Sequence, residues 1–215
     1  MPTTSEGLRQ LYEEHDAELY ASFPALVNGL REHIDRIYKV CSLVQVLAPA
    51  SLLDIGCNRG LFGSLVRLNG GPVKRVVGVD ISRLSCAYAK EQMGYDETHQ
   101  LDASAPFNLS EQFDLVLCME LLEHVPQPAA VIRNVAHHLK PGALALFSCP
   151  EERGELDGQI HVRRVTASEL SHWVELENLQ LRQTFFLPSL FCEKPKWQGW
   201  NFVLASKRAQ EECEK

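Results

Sequence analysis

Short apolar runs alternate with segments of helical spacing over most of the 215-residue chain. Uninterrupted apolar runs are typical of buried strands, whereas apolar residues three or four positions apart predict one face of a helix. The pattern predicts strands at 51–55, 75–80, 99–102, 113–119, 143–150, 181–187 and 201–205. It predicts helices at 5–22, 25–47, 61–68, 82–93, 129–139 and 167–175. A capping box of Thr166 and Glu169 marks the start of the last helix.

The alternation of strand and helix in the centre of the chain demands a parallel sheet with helices on both faces. No helical pattern separates the last two strands, so we expect them to form a hairpin. The predicted fold class is therefore α/β, with a doubly wound, mostly parallel seven-stranded sheet, a C-terminal antiparallel hairpin strand and an N-terminal helical leader. The predicted boundaries are 1–48 for the leader, 49–208 for the domain and 209–215 for a frayed tail.

Composition and charge narrow the class of protein. A chain that is 45% hydrophobic and 215 residues long has enough apolar residues for one domain with an ample core. The net charge of −7 argues against a nucleic-acid partner, because phosphate contacts need clustered Lys and Arg. No run reaches the roughly 18 apolar residues of a membrane span, and the N-terminus lacks the features of a signal peptide.

The seven cysteines are scattered and form no C-x-x-C pair. This distribution favours buried thiols in a reducing compartment over disulfides or a zinc site. We therefore expect a soluble cytoplasmic protein that does not bind a membrane. The sequence carries no signal for an oligomeric state.

A glycine turn follows the first predicted strand. Gly56 allows backbone angles that a side chain forbids, and Gly60 lets the next helix approach closely. The second strand ends in Asp80, twenty residues after Gly60, at the spacing expected for a carboxylate that accepts both ribose hydroxyls. An N-cap for the following helix is the structural alternative for Asp80. A glycine turn after one strand and an acid ending the next bind a nucleoside in Rossmann-like sheets.

The departures from the dinucleotide fingerprint indicate which nucleoside is bound. G-x-G-x-x-G would need glycines at 56, 58 and 61, but Asn58 and Leu61 occupy the last two positions. A side chain at 58 blocks the close approach of a diphosphate, which argues against an NAD-linked oxidoreductase. Asp54 places a carboxylate just before the turn, where it disfavours phosphate and favours a cation. S-adenosylmethionine carries a sulfonium and an ammonium, together with ribose and adenine, and has no phosphate.

The stretch D-I-G-C-N-R-G at 54–60 resembles the first motif of class I S-adenosylmethionine-dependent methyltransferases, with Asn58 where the commonest version has glycine. The resemblance covers about residues 50–150. It implies S-adenosylmethionine as cofactor, with Asp80 at the ribose, Ile81 against the adenine and Asp102 at the adenine amino group. Asp102 equally suits a turn in D-A-S-A-P, so that alternative stays open. The expected cofactor contacts are Asp54 (acting indirectly, through the loop and a water), Gly56, Cys57, Asn58, Gly60, Asp80, Ile81, Asp102, Ala103 and Met119.

The segment E-L-L-E-H at 120–124 follows the fourth strand. It resembles the post-strand-four motif of small-molecule O- and C-methyltransferases, including ubiquinone-biosynthesis enzymes. Ligands bind outside the carboxyl ends of parallel strands, and residues three or four apart share a helical face. We predict that His124 is the general base for the acceptor, with Glu120 beside the donor methyl and His161 orienting the acceptor. No metal ligands are predicted.

Two other interpretations of this segment remain. Small-RNA 2′-O-methyltransferases bear a similar E-x-x-E-H, which implies a divalent metal ion on Glu120, Glu123, His124 and His161. Against it, the later histidine-rich segment of that family has only a loose counterpart here, and the chain lacks a basic stripe. In the third interpretation, Glu123 and His124 only cap the loop and hold its shape.

The predicted function is methyl transfer from S-adenosylmethionine to a small-molecule acceptor, with a hydroxyl oxygen favoured over carbon or nitrogen. A non-catalytic S-adenosylmethionine-binding protein is the alternative from another class. In methyltransferases of this kind, a leader often covers the cofactor or shapes the acceptor pocket, which makes Tyr12, His15 and Tyr20 candidates. Between the last two strands, we expect Trp197 or Trp200 to line that pocket.

Overall fold

The computed structural model of the chain describes residues 5–19, 23–68, 73–152, 161–189 and 197–209. Within these ranges the helices are α1 (Ser5–Leu19), α2 (Phe23–Leu47), α3 (Leu61–Leu68), α4 (Arg83–Gln92), α5 (Pro128–His138) and α6 (Ala167–Leu176). A 3₁₀ helix spans Leu122–His124. The strands are β1 (Ser51–Ile55), β2 (Arg75–Asp80), β3 (Glu97–Gln100), β4 (Phe113–Met119), β5 (Leu139–Glu152), β6 (Leu179–Pro188) and β7 (Trp197–Lys207).

One sheet contains these strands in the order β3-β2-β1-β4-β5-β7-β6. The first five are parallel neighbours, whereas β7 runs antiparallel to both β5 and β6. This confirms the predicted Rossmann-like α/β sheet and its antiparallel hairpin strand. The chain proceeds from β1 outward to β3 and then returns to β4, on the other side of β1. The carboxyl ends of β1 and β4 therefore meet at a switch point, which is where open α/β sheets bind ligands.

Two hydrophobic clusters cover the two faces of the sheet. Successive strand residues point to opposite faces: Leu52 joins the cluster under α2 and α3, and Leu53 joins the cluster under α5 and α6. The C-terminal half of α2 is part of this packing, because Val40 and Val44 are fully buried against the sheet. The described part of the leader is thus continuous with the core of the domain.

Several element boundaries differ from the prediction. Lys140, Pro141 and Gly142 do not close α5 in a loop. They continue β5, which already pairs at Leu139 with Phe113 and passes a register shift before Leu144. At its other end β5 includes Glu151 and Glu152, which were expected in a loop.

The weakest predicted strand is displaced by two residues, since β3 pairs its residues 97–100 with residues 77–80 of β2. Ile34, which shares the helical spacing of the buried Ile37 and Val44 on α2, is nevertheless 50% exposed. The predicted tail at 209–215 lies outside the described residues apart from Ala209, as do Tyr20 and the side chain of His15.

The capping box that starts α6 is present, with Thr166 accepting from the Glu169 amide and the Glu169 side chain accepting from the Thr166 amide. Within the described ranges the cysteines are free and buried, as their spacing predicts: Cys41, Cys57, Cys86, Cys118 and Cys149. No helix in the described part of the chain has both the length and the apolar character needed to cross a bilayer.

Candidate active site

A cavity that is partly open to solvent lies at the carboxyl ends of β1, β2 and β4. Residues predicted for the site line it: Gly56, Asn58, Asp80, Ile81, Asp102, Ala103, Glu120 and His124. Tyr12 of α1, a candidate from the leader, also lines the cavity. The remaining lining residues carried no site prediction: Ser85, Leu101, Leu121 and Val125. The structure thus brings the turns after four strands to one place.

The backbone of the glycine turn packs tightly against α4 and against the residues that follow α4. Gly60 has a φ of +82°, and a Cβ there would lie 2.7 Å from a ring carbon of Tyr95 and 2.9 Å from Cβ of Ala89. Asn58 takes a φ of +46°, a left-handed conformation that Asn tolerates better than most residues. The turn therefore needs glycine at 60 for both backbone and space, whereas Asn suffices at 58.

Asp54 lies beneath this turn rather than in the cavity. It is 1% exposed, and its Oδ2 accepts a hydrogen bond of 2.7 Å from the hydroxyl of Tyr95. Burial raises the pKa of Asp54 to about 7, the charge of Asp80 adds to the rise, and the Tyr95 hydrogen bond opposes it. The hydroxyl of Tyr95 also accepts from the Gly63 amide at 3.1 Å. Any effect of Asp54 on the cofactor is thus indirect, through the turn or through its charge, and Tyr95 is a supporting residue that no sequence signal marks.

Asp80 connects two turns with one carboxylate. Its Oδ2 accepts from the Asn58 amide at 2.8 Å, and its Oδ1 accepts from the Ser82 amide at 2.9 Å. The N-cap of α4 is Ser82, whose hydroxyl accepts from the Ser85 amide, so the alternative N-cap role for Asp80 is wrong. The carboxylate lies in the cavity wall, where the predicted ribose contact requires it.

Asp102 forms the turn that the sequence left open as an alternative, and its contact with the adenine stays a prediction. Its Oδ1 accepts from the amide of Ser104 at 2.8 Å and from its hydroxyl at 2.6 Å, so the aspartate does form a turn. Asp102 and Ala103 line the cavity as well. The turn fixes the carboxylate beside the space in which the adenine is expected.

Glu120 directly follows β4 and has a strained conformation, with a φ of +52°. Such conformations in residues other than glycine concentrate at functional sites. Its Oε1 accepts from the Ser148 hydroxyl at 2.6 Å, and its Oε2 lies 3.1 Å from a guanidinium nitrogen of Arg36. The carboxylate is therefore held from two sides at the cavity wall.

Arg36 was missed by the sequence interpretation. It is 8% exposed on α2, with its guanidinium carbon 5.5 Å from the ring centre of Phe62 and 5.8 Å from that of Trp200. Burial lowers the pKa of Arg36 to about 10, and the nearby charge of Glu123 opposes that change. The sequence did carry one signal for the burial of Arg36. The residue lies four positions before the buried Val40, so it shares the buried face of α2.

Glu123, His124 and His161 form a second cluster beside the cavity. Each offers one possible metal-ligand atom, and these atoms all lie within 4.8 Å of one another. The rings of His124 and His161 are 4.7 Å apart between centroids, and the Tyr12 ring is 5.7 Å from that of His124. The 3₁₀ helix presents Glu123 inward and His124 to the cavity.

The Glu123 carboxyl is 1% exposed, and neither oxygen has a hydrogen-bond partner among the described residues. Burial raises the pKa of Glu123 to about 8, the Glu152 charge adds to the rise, and Arg36 opposes it. The Glu123 carbonyl accepts from the Val162 amide at 2.9 Å, so the residue also holds the loop, as the third interpretation expected.

Five predicted residues lie outside the cavity lining: Asp54, Cys57, Gly60, Met119 and His161. Cys57 and Met119 are buried in the cluster under α2 and α3. Trp200 is 1% exposed and packs against Arg36 instead of lining the cavity, and the side chain of Trp197 lies outside the described residues.

The doubly wound sheet, the glycine turn at its switch point and the acids after β2 and β3 define the class I methyltransferase architecture. No Lys or Arg stands among the described residues of the cavity lining, which suits a nucleoside without phosphates. The sequence profile of the Methyltransferase domain family matches residues 30–184, and the chain belongs to that family.

Curated relatives include ubiquinone biosynthesis O-methyltransferases. The protein of that name from Pseudomonas putida is 37% identical over 151 residues, which cover 66% of this chain and 59% of the relative. The one from Stutzerimonas stutzeri is 32% identical over 155 residues, with the same coverage. The chain thus spans less than two thirds of the length of these relatives.

Among solved structures, the N-methyltransferase NodS of Bradyrhizobium japonicum in complex with S-adenosylhomocysteine superposes with a TM-score of 0.72. It is 17% identical, and the match covers 91% of this chain and 97% of NodS. This likeness confirms the fold.

Proposed function

We propose that this methyltransferase acts on a hydroxyl oxygen of a small molecule, with His124 as the general base. The supporting observation is the position of His124, which lines the cavity beside Glu120 at the carboxyl end of β4. The curated relatives that methylate oxygen in ubiquinone biosynthesis support the choice of oxygen.

When bound, S-adenosylmethionine supplies a methyl group on a cationic sulfur, ready for in-line displacement. Asp80 would hold the ribose hydroxyls, and Asp102 would receive the adenine amino group. Arg36 is the buried cation next to a cavity-lining residue, and it would attract the carboxylate at the amino-acid end of the cofactor. Holding both reactants in line supplies much of the acceleration by itself.

His124 would take the proton of the acceptor hydroxyl as its oxygen attacks the methyl carbon. A neutral imidazole is suited to this near pH 7. The methyl group would leave sulfur as its bond to the acceptor oxygen forms, and His124 would hold the proton until solvent removes it.

The decisive experiment is a screen with methyl-labelled S-adenosylmethionine against hydroxylated, amino and carbon acceptors, including hydroxylated quinone precursors. Mass spectrometry of the product then locates the new methyl group. Methylation at oxygen supports the proposal, and methylation confined to nitrogen or carbon contradicts it.

A divalent metal ion on Glu123, His124 and His161 is the second candidate. It is favoured by the two buried oxygens of Glu123, which lack a hydrogen bond within the described residues, and by the mutual distances within the cluster. Imidazole and carboxylate donors suit zinc, manganese or iron, and three protein ligands leave open positions for an acceptor. A bound ion would polarise the acceptor hydroxyl and make it more acidic.

These three ligands differ from the four considered in the sequence analysis, which included Glu120. The Glu120 carboxylate is already engaged with Ser148 and Arg36. Elemental analysis of the purified protein, followed by activity measurements after chelation and after metal return, separates the two mechanisms. Full activity in chelated protein contradicts the metal, whereas activity restored only by a divalent ion contradicts a base that acts alone.

A further inference from the structure

Glu152, the last residue of β5, forms a buried pair with His161. Its Oε1 lies 2.5 Å from Nδ1 of His161, and the two side chains are 6% and 5% exposed. Nothing in the sequence singled out Glu152. Its other oxygen is buried without a hydrogen-bond partner in the described part of the chain.

The pair selects one form of the imidazole. A carboxylate accepts hydrogen bonds, so the short contact between Oε1 of Glu152 and the ring is satisfied when Nδ1 of His161 carries the proton. When the ring is neutral, its lone pair is therefore on Nε2. A carboxylate on one nitrogen of a histidine is the arrangement that orients catalytic and metal-binding imidazoles.

The histidine selected in this way lies behind the cavity lining, next to His124, which lines the cavity. Its ring is 4.7 Å from that of His124, and its ligand atom falls within 4.8 Å of those of Glu123 and His124. The loop after His161 is tied to the 3₁₀ helix, because the Glu123 carbonyl accepts from the amide of Val162. A change in the ring of His161 would therefore be felt directly at His124.

The end of β5 separates two adjacent acids. The ladder with β7 shifts register between Pro150 and Glu152, and such irregularities redirect side chains at the ends of strands. Glu151 consequently accepts a hydrogen bond from the side-chain amide of Asn201, whereas Glu152 meets His161. Glu151 provides a natural control with the same charge, one residue away.

We propose that Glu152 is a positioning residue of the methyl transfer, which fixes His161 in the Nδ1–H tautomer so that Nε2 presents the lone pair. This rests on the proposed function, since His161 orients the acceptor there or joins the metal ligands. Glu152 itself touches neither reactant.

The test compares Glu152→Gln, Glu152→Asp and Glu151→Gln with the parent protein. The tautomer of His161 is measured in ¹⁵N-labelled protein by long-range ¹H–¹⁵N correlation at a pH of about 8.5, where imidazoles are neutral. His161→Gln assigns the signals. Turnover, acceptor KM and S-adenosylhomocysteine affinity are measured in parallel on the same preparations.

We expect the Nδ1–H tautomer in the parent protein and a mixture of tautomers in Glu152→Gln, because an amide accepts and donates. Turnover should fall about 10- to 100-fold in that variant, as for other residues that orient an imidazole, with S-adenosylhomocysteine affinity unchanged. Glu152→Asp should recover the tautomer and part of the turnover, and Glu151→Gln should resemble the parent.

An Nε2–H tautomer in the parent protein overturns the inference, even if methyl transfer to oxygen is demonstrated. Parental turnover in Glu152→Gln overturns it as well, because a residue that only anchors the loop tolerates an amide. If no acceptor is methylated at oxygen, the proposed function fails, while the tautomer measurement still decides the role of Glu152.

Discussion

The two sides of the cavity are built differently. The cofactor side consists of the turns after β1, β2 and β3, where carboxylates bind backbone amides close by, as Asp80 does with Asn58 and Ser82. The reaction side consists of the ends of β4 and β5 with α2. There, buried charged side chains from distant segments meet one another, as Arg36 and Glu120 do.

This difference indicates that cofactor binding and methyl transfer can be changed separately by substitutions on the two sides. Backbone amides have fixed positions, so the cofactor side holds its shape at little cost in side-chain order. The reaction side contains Glu123 and Arg36, whose pKa values move in opposite directions because both are buried. Strongly shifted ionisable groups in a cleft mark the place where proton transfer or a metal is expected.

The largest expected effect is on the reaction side. His124→Ala should lower turnover by about 10²- to 10⁴-fold, the usual contribution of a general base. S-adenosylhomocysteine affinity, measured by calorimetry, should stay the same, because the cofactor side is untouched. His172→Ala, on the exposed face of α6, is the control. Parental turnover in His124→Ala would remove the base from the mechanism.

Gly60→Ala tests how tightly the cofactor side is packed. A methyl group there meets both the Tyr95 ring and Ala89 in addition to a positive φ, and we expect a loss of about 3 kcal/mol in the free energy of unfolding. Gly142→Ala shares the positive φ and has no atom within 4 Å. It should lose only about 1 kcal/mol, the backbone component alone. Equal losses in urea titrations would mean that the Tyr95 contact does not constrain the turn.

Asp80→Asn should separate affinity from turnover. Loss of a charged hydrogen-bond acceptor costs about 1.5–3 kcal/mol, which predicts a roughly 10- to 100-fold weaker S-adenosylhomocysteine affinity. Turnover of Asp80→Asn at saturating S-adenosylmethionine should match that of the parent protein.

Asp114→Asn is the matched control for Asp80→Asn, because Asp114 accepts from Ser51 and Lys140 at the opposite end of the sheet. It should lower stability without changing affinity. An Asp80→Asn protein that keeps full affinity would refute the ribose role.

The smallest expected effect is a pH dependence of cofactor binding. Asp54 has a pKa of about 7 in the free protein, and a cofactor ammonium nearby would favour its charged form and lower that pKa. The free protein then holds more protons than the complex, so S-adenosylhomocysteine affinity should rise several-fold as the pH passes from about 6 to 8.

Asp54→Asn should flatten this pH dependence. Tyr95→Phe should move the rise to higher pH, because the hydrogen bond that lowers the pKa of Asp54 is lost. A pH dependence that survives unchanged in Asp54→Asn would assign it to the cofactor amine or to another group.

The sequence by itself determined the parallel sheet and the glycine turn at its switch point. β1 and β4 have the predicted bounds, Ser51–Ile55 and Phe113–Met119, because buried parallel strands are apolar on both faces and leave an uninterrupted run. The glycine turn was equally readable, since it acts through backbone geometry within a few residues, and Asp80 was readable from its place at the end of an apolar strand. The same locality made the capping box at Thr166 predictable.

Only the tertiary structure decided which side chains support the site. Tyr95 reaches Asp54 across 41 residues of sequence, and Arg36 reaches Glu120 from the leader. Glu152 meets His161 because β5 runs past its predicted end. Such contacts depend on packing between segments that are distant in the chain. Local propensity and spacing carry no information about them, because the free energy that forms them comes from burial in the assembled fold.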